Sequence, residues 1–327
     1  MMYYWLAGAL CLAVLFLVIA MASVFCLAGL RIVRPLLRSL TPKVAASLLF
    51  TIRVLPVFLA GLVAFGFALP AFFKFEPRST SEVMGPKLLA LALAGTVAVL
   101  AMVWRGMRLL QATARTAKQW QMRSQELRIE GCSVPVHRVD GEGALLAVTG
   151  LLRPRVFVGR NVTELLSQEE LSAALAHELA HVRSFDNLRQ FLLRMTRPPA
   201  WLDKLFGNDA AWVAASEVAA DEEALQGGAS ALDLSSALVK IARLTRWADP
   251  NLAVVACQFV PDGLTSCVEM RVAHLAQWLE HTPRRKTPPH RQRSSLLLAI
   301  AMAAVTYAVC LNTALPWIHE GLELIVR

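Results

Sequence analysis

The chain has 327 residues, 56% of them hydrophobic and only 17% charged, a formal net charge of +9 and a mean hydropathy of +0.50. Soluble domains run nearer about 45–50% apolar and about 25% charged, so this composition excludes an ordinary soluble globule. It equally excludes disorder, collagen and a disulfide-stapled secreted module.

The apolar excess is concentrated in four runs, residues 4–30, 54–73, 88–104 and 296–317. A hydrocarbon core of about 30 Å needs roughly 17–25 apolar residues in helix, and each run has that length, the third being the shortest. The first run has no Lys or Arg before Arg31 and exceeds a signal-peptide core, so it reads as a retained span. Basic residues set the orientation. Arg31, Arg34, Arg38, Lys43 and Arg53 lie between the first two runs, Arg105, Arg108, Arg115, Lys118, Arg123 and Arg128 follow the third, and Arg284, Arg285, Lys286, Arg291 and Arg293 precede the fourth. The loop between runs two and three carries a weaker, mixed set: Lys74, Glu76, Arg78, Glu82 and Lys87. All basic clusters share one side if both termini are outside, which makes 105–293 a cytoplasmic domain with a basic juxtamembrane linker. The expected organisation is three spans in 1–104, that domain, a fourth span at 296–317 and a short external tail at 318–327. Clustering of the positive charge at membrane borders also accounts for the +9 without nucleic acid and favours contact with anionic lipid of a bilayer. Of six cysteines none forms a CxxC pair, and in a reducing compartment they are packing residues.

Within the cytoplasmic segment, Arg105 to Leu127 has no Pro and no Gly after Gly106, and reads as a polar continuation of the third span. Short β-rich pieces follow at 134–139, 145–148 and 156–158, separated by turn residues Asp140, Gly141, Gly143, Gly150 and Pro154. From Ser167 the chain turns helical. Ser167 and Glu170 form a capping box that opens an amphipathic helix to about Arg183. Further helices are predicted over 187–195, 210–225, 232–245 and 265–279, and 282–293 is a Pro-rich basic linker.

The capped helix contains His177-Glu178-Leu179-Ala180-His181. Two imidazoles four residues apart project from one face of a helix and can grip a single ion, with Glu178 placed to reach a metal-activated water. A catalytic zinc keeps one position for water and lowers its pKa to about 7. A carboxylate then takes the proton as water attacks a peptide carbonyl and returns it to the leaving amine. The flanking Ala173, Ala174, Leu175, Ala176, Leu179 and Ala180 bury this face and oblige its polar groups to find partners. A third ligand is available at Glu217, in Ser216-Glu217-Val218-Ala219-Ala220-Asp221. Glu217 and Asp221 share a helix face at i and i+4, which suits Glu217 to the metal and Asp221 to a ligand histidine's ring N–H. Glu222 and Glu223 read as a solvated face. The expected cofactor is one Zn2+ per chain.

These motifs, with Asp186, resemble the membrane-bound gluzincin peptidases, in two branches: the HtpX and CAAX-prenyl-protease type and the BlaR/MecR receptor type. The segment Gly150-Leu151-Leu152-Arg153-Pro154-Arg155-Val156-Phe157-Val158 is similar to the stretch those families carry before the zinc helix, so the resemblance covers about 150–225. It implies His177, His181 and Glu217 as zinc ligands, Glu178 as catalytic base, and Asp186 and Asp221 as supporting carboxylates. It implies a fold that is mainly α: four transmembrane helices plus a cytoplasmic α+β zincin-like domain, mostly helical with a small sheet. Three spans, a zinc domain and one more span is the receptor-branch layout, while Glu217-x-x-x-Asp221 leans to the other branch. Only ten residues follow Trp317, so a C-terminal sensor domain is not expected.

The implied activity is a membrane-anchored zinc endopeptidase cleaving proteins at the cytoplasmic face of a bacterial inner membrane. The alternative is a receptor-type transducer that cleaves itself or a repressor when a regulatory membrane partner engages it. An intramembrane protease is excluded by the polar flanks Gln168, Glu169, Glu170, Arg183 and Asp186. The only tyrosines, Tyr3, Tyr4 and Tyr307, lie in or beside spans, so no cytoplasmic tyrosine steadies an oxyanion. His137, His274, His281 and Arg271 remain open for that role. Residues 145–148 are a candidate edge for strand addition by substrate.

Overall fold

A computed structural model describes residues 2–37, 39–77, 84–127, 134–140, 146–198, 209–246, 264–280 and 320–321. The predicted span at 296–317, the linker at 282–293, and His281, Cys132, Cys257 and Cys310 lie outside the described residues. The chain divides into two compact units: Met1–Arg34, Thr51–Trp104 and Lys286–Arg327 in the first, Pro35–Phe50 and Arg105–Arg285 in the second.

The first unit takes its described residues mainly from long apolar helices, parts of which, 35–50 and 105–122, are counted with the second unit. α1 runs Met2–Leu37, α2 runs Pro42–Gly61 and continues through a π-helical segment, Leu62–Ala68, into α3, Leu69–Phe75, and α4 runs Pro86–Met122. Three stretches, Met2–Ile32, Pro42–Phe75 and Pro86–Met122, are long and apolar enough to cross a membrane. Their polarity is that of a membrane bundle. Trp5, Phe25, Phe58, Phe65, Leu93 and Leu100 are exposed, while Ala13, Ala60, Ala64 and Ala71 are wholly buried. Small residues inside let helix backbones approach closely where lipid removes the hydrophobic drive for association. At Gly95 the approach is closest, since a Cβ there would collide with the backbone carbonyl of Leu12. In the widened turn of the π segment, the Cys11 thiol donates to the Ala64 carbonyl at 3.8 Å.

The second unit centres on a four-stranded sheet of order β1-β2-β4-β3. Its strands are β1 (Ser124–Leu127), β2 (Val136–Val139), β3 (Leu146–Thr149) and β4 (Arg155–Gly159). β2 and β4 pair parallel, and β1 and β3 add antiparallel at the two edges. β4 is buried on both faces: Val156 and Val158 join Val136 and Val148 against Ala174, Leu175 and Ala237, while Phe157 packs with Val139, Ala147 and Trp120 on the other side. Such two-sided burial explains its unbroken apolar run. Gly150, at φ 100°, makes the β3–β4 turn possible, because a Cβ there would lie 2.5 Å from the Arg153 carbonyl oxygen. β1 was not evident in the sequence, which suggested helix through Leu127; α4 instead stops at Met122.

The helices follow as α5 (Arg160–Leu165), α6 (Gln168–Arg183), α7 (Asp186–Met195), α8 (Asp209–Gln226), α9 (Ala231–Arg246) and α10 (Leu264–Glu280). The capping box at the start of α6 forms as read: the Glu170 N–H donates to Ser167 Oγ at 3.2 Å and the Ser167 N–H to Glu170 Oε2 at 2.9 Å. The same carboxylate accepts from Lys240 Nζ at 2.8 Å on both oxygens and from Ser236 Oγ at 2.5 Å, tying α6 to α9.

Candidate metal centre

α6 presents His177 and His181 on one face, and α8 presents Glu217 and Asp221 on one face, in both cases at i and i+4. All are buried but for a partly exposed His181, and Glu178 is 1% exposed. The structure brings His177, His181 and Glu217 together: each offers a ligand atom within 4.8 Å of the others, a group able to hold a metal ion.

The partners of the two rings decide their orientation. His181 Nδ1 lies 2.7 Å from Asp186 Oδ2, and His177 Nδ1 lies 2.8 Å from Asp221 Oδ1. With each Nδ1 facing a carboxylate, Nε2 is the atom that each ring turns inward as a ligand. Those two Nε2 atoms stand 3.1 Å apart, and each is 3.5 Å from an oxygen of Glu217. Donors at about 2.0–2.1 Å from a tetrahedral zinc stand about 3.3 Å from one another. Two imidazole nitrogens and a carboxylate converging at this spacing match the donor set and separations of a metal ion.

Asp186 reaches His181 because the chain reverses at Phe185, whose φ of 55° and ψ of 35° are left-handed. That conformation is costly for a residue with a Cβ. Phe185 is itself 63% exposed, so packing of its own ring does not compensate. The turn brings the first residue of α7 back against the last turn of α6.

The electrostatics are those of a charged cluster out of water. Burial pushes the Glu178 carboxyl up to about 8; His181 opposes this, Glu217 adds to it and Arg271 opposes it. Burial works to lower the two histidines, yet the carboxylates around them outweigh it and both are raised. For Glu217 and Asp221, burial works upward, but Arg271 and the histidines hold both carboxyls low. Glu178 Oε1 is buried with no hydrogen-bond partner among the described residues.

An open cleft of about 40 Å³ gives access to the centre, with Glu178, His181, Glu217, Val148 and Trp212 on its walls. Val148 belongs to edge strand β3, whose Val148 and Gly150 carbonyls both accept from Asn187 Nδ2 at 3.2 Å. That amide covers part of the edge that the sequence offered to a substrate strand.

The open oxyanion candidates fall elsewhere. His137 stacks on Phe157 with ring centroids 5.3 Å apart, and His274 pairs with Glu222 at 3.1 Å. Arg271, from α10, is 2% exposed and grips the carboxylates: Nη1 to Glu217 Oε2 at 2.7 Å, Nε and Nη2 to Asp221 at 2.8 and 2.7 Å. Sequence reading did not give it this place, since its partners lie 50 and 54 residues away.

A family model described as BlaR1 peptidase M56 matches residues 73–270, and the chain belongs to that family. No curated protein matches the chain. Membership makes it a membrane-associated metallopeptidase, a hydrolase acting on peptide bonds.

Proposed function

We propose that this member of the BlaR1 peptidase M56 family is a zinc endopeptidase that cleaves protein substrates at the cytoplasmic face of a bacterial inner membrane. One Zn2+ per chain is held by His177, His181 and Glu217. The observation that carries this reading is the pair of inward-facing Nε2 atoms 3.1 Å apart with Glu217 beside them. When bound, zinc supplies Lewis acidity, bringing the pKa of a coordinated water to about 7.

The chain's own residues do the rest. Asp186 and Asp221 hold Nδ1 of His181 and His177, fix the orientation of both rings and leave Nε2 as the atom offered to the metal. Glu178, with its unpartnered Oε1 at the cleft, takes the proton of the attacking water and returns it to the leaving amine. Burial supports this assignment, because it brings a carboxyl into the range where it can both accept and release a proton near neutrality. The orientation rests on the basic clusters that border the apolar runs.

A second reading, a transducer that cleaves on engagement of a partner, is favoured by one contact. The interspan segment Pro35–Phe50 belongs to the same compact unit as the HExxH helix. Its Phe50 ring lies 5.7 Å from the Arg189 guanidinium, and Arg189 lies 3.5 Å from Asp186, the anchor of His181.

The test is zinc content and casein-type cleavage by the detergent-purified full chain, with protease accessibility in spheroplasts for orientation. One zinc per chain, chelator-sensitive cleavage and a central domain protected from outside are expected. A chain that cleaves equally well after metal removal, or a domain digested from outside, refutes the corresponding half of the reading.

A further inference from the structure

Zinc carboxylate ligands bind through one oxygen or two, and the choice decides how much of the coordination sphere is left for water and substrate. In this chain a residue on another helix reaches the Glu217 carboxylate. Arg271 donates from Nη1 to Glu217 Oε2 at 2.7 Å, while Nε and Nη2 form a two-pronged pair with Asp221 at 2.8 and 2.7 Å. Its Nη2 also lies 3.4 Å from both ring nitrogens of His177. One guanidinium thus braces the third ligand, the carboxylate behind the first ligand, and the first ligand's ring. Arg271 does not line the cleft, so it does not meet substrate there.

We propose that Arg271 is a positioning residue that sets the denticity of Glu217. Both oxygens face the ligand rings, Oε2 3.5 Å from His177 Nε2 and Oε1 3.5 Å from His181 Nε2, but only Oε2 carries the Arg271 donor, which competes with a metal for that oxygen and favours binding through Oε1, keeping the position that water needs. This rests on the zinc reading above. Three observations support it. The guanidinium is buried at 2% exposure, so its charge is retained only with partners of opposite sign. Asp221 is wholly buried, and its two oxygens are held by Arg271 while one also meets His177 Nδ1. The arginine fork spans two carboxylates in a fixed plane, which a lysine ammonium cannot reproduce. Arg271 lies one residue beyond the family-matched segment 73–270.

The experiment compares wild type, Arg271→Gln and Arg271→Lys as full chains in detergent. Zinc affinity is measured by chelator competition, the visible spectrum is recorded after Co2+ replaces zinc, and melting temperature is followed alongside. Arg271→Gln is expected to weaken zinc binding about 10–100-fold, the range seen for groups that orient metal ligands. Its Co2+ bands are expected to lose intensity, as they do when coordination rises above four. Arg271→Lys keeps the charge, yet is expected to show the same spectral change with a smaller loss of affinity. Wild-type affinity and an unchanged Co2+ spectrum in Arg271→Lys, even at a lowered melting temperature, overturn the proposal and reduce Arg271 to a structural ion pair. A wild-type chain that binds no zinc overturns the zinc reading itself, so the two failures are distinguishable.

Discussion

Glu178→Gln separates catalysis from metal binding, and the structure sets the size of both effects. The carboxyl is 1% exposed, has an unpartnered Oε1 and belongs to no ligand pair, so the amide fits without disturbing His177, His181 or Glu217. Zinc content should stay at the wild-type level while peptide cleavage falls about 10²–10⁴-fold, the usual contribution of a positioned proton carrier. The same substitution has a second signature in metal-stripped protein. Burial raises the folded carboxyl from 4.5 to about 8, so the folded chain keeps a proton that the unfolded chain releases. Stability carried by this group is therefore intact below pH 4.5 and declines as pH rises towards 8. The decline amounts to about 3 kcal/mol by pH 7 and about 5 kcal/mol above pH 8. Glutamine has no such proton, so the variant should gain on the wild type as pH rises. Elemental analysis, a casein-type cleavage assay and melting of the stripped protein at pH 5 and pH 8 make the three measurements. Wild-type turnover in Glu178→Gln refutes the base assignment, and parallel pH profiles of the two stripped proteins refute the account of its burial.

Three other outcomes are expected. Glu217→Ala or His177→Ala should cut zinc stoichiometry in the purified chain, and full metal in Glu217→Ala would move the third ligand elsewhere. Lys240→Met removes the neighbour that, with Ser236 and the Ser167 N–H, holds Glu170 down at about 2. Because Lys240 is 38% exposed, the cost at pH 7 is about 1–2 kcal/mol after solvent screening. That difference should vanish as pH falls from about 4.5 towards 2, and a melting gap that widens on acidification would contradict it. Gly95→Ala places a Cβ against the Leu12 carbonyl and should destabilise the chain in detergent by about 1–3 kcal/mol; an unchanged melting temperature would mean that α1 and α4 do not approach so closely.

What the sequence disclosed was whatever local chemistry encodes. The helix at 168–183 announces itself through Ser167 and Glu170, and the pairs at 177/181 and 217/221 through helical spacing. Strands β2, β3 and β4 are Val- and Leu-rich and bounded by glycine, so their composition marks them. β1 reads Ser-Gln-Glu-Leu, with no β-branched or aromatic residue, and is a strand because β2 offers it an edge. Arg271 was named only as one of four candidates to steady an oxyanion, and only the meeting of α10 with α8 gives it its place beside Glu217 and Asp221. The left-handed turn at Phe185 was equally invisible, since phenylalanine carries no preference for it. Asp186 was marked by resemblance, yet its bond to His181 depends on that turn.

The inclusion of Pro35–Phe50 in the unit that holds the metal centre bears on how that unit can be produced. Ala45, Ala46 and Leu49 are buried, Lys43 pairs with Glu223 at 3.2 Å, and Phe50 rests on Arg189. A recombinant fragment started at Arg105 would omit this sixteen-residue strap and leave a raw seam where it had lain. Supplying residues 35–50 as a separate peptide, or grafting them through a short linker ahead of Arg105, is the natural way to make the excised portion whole.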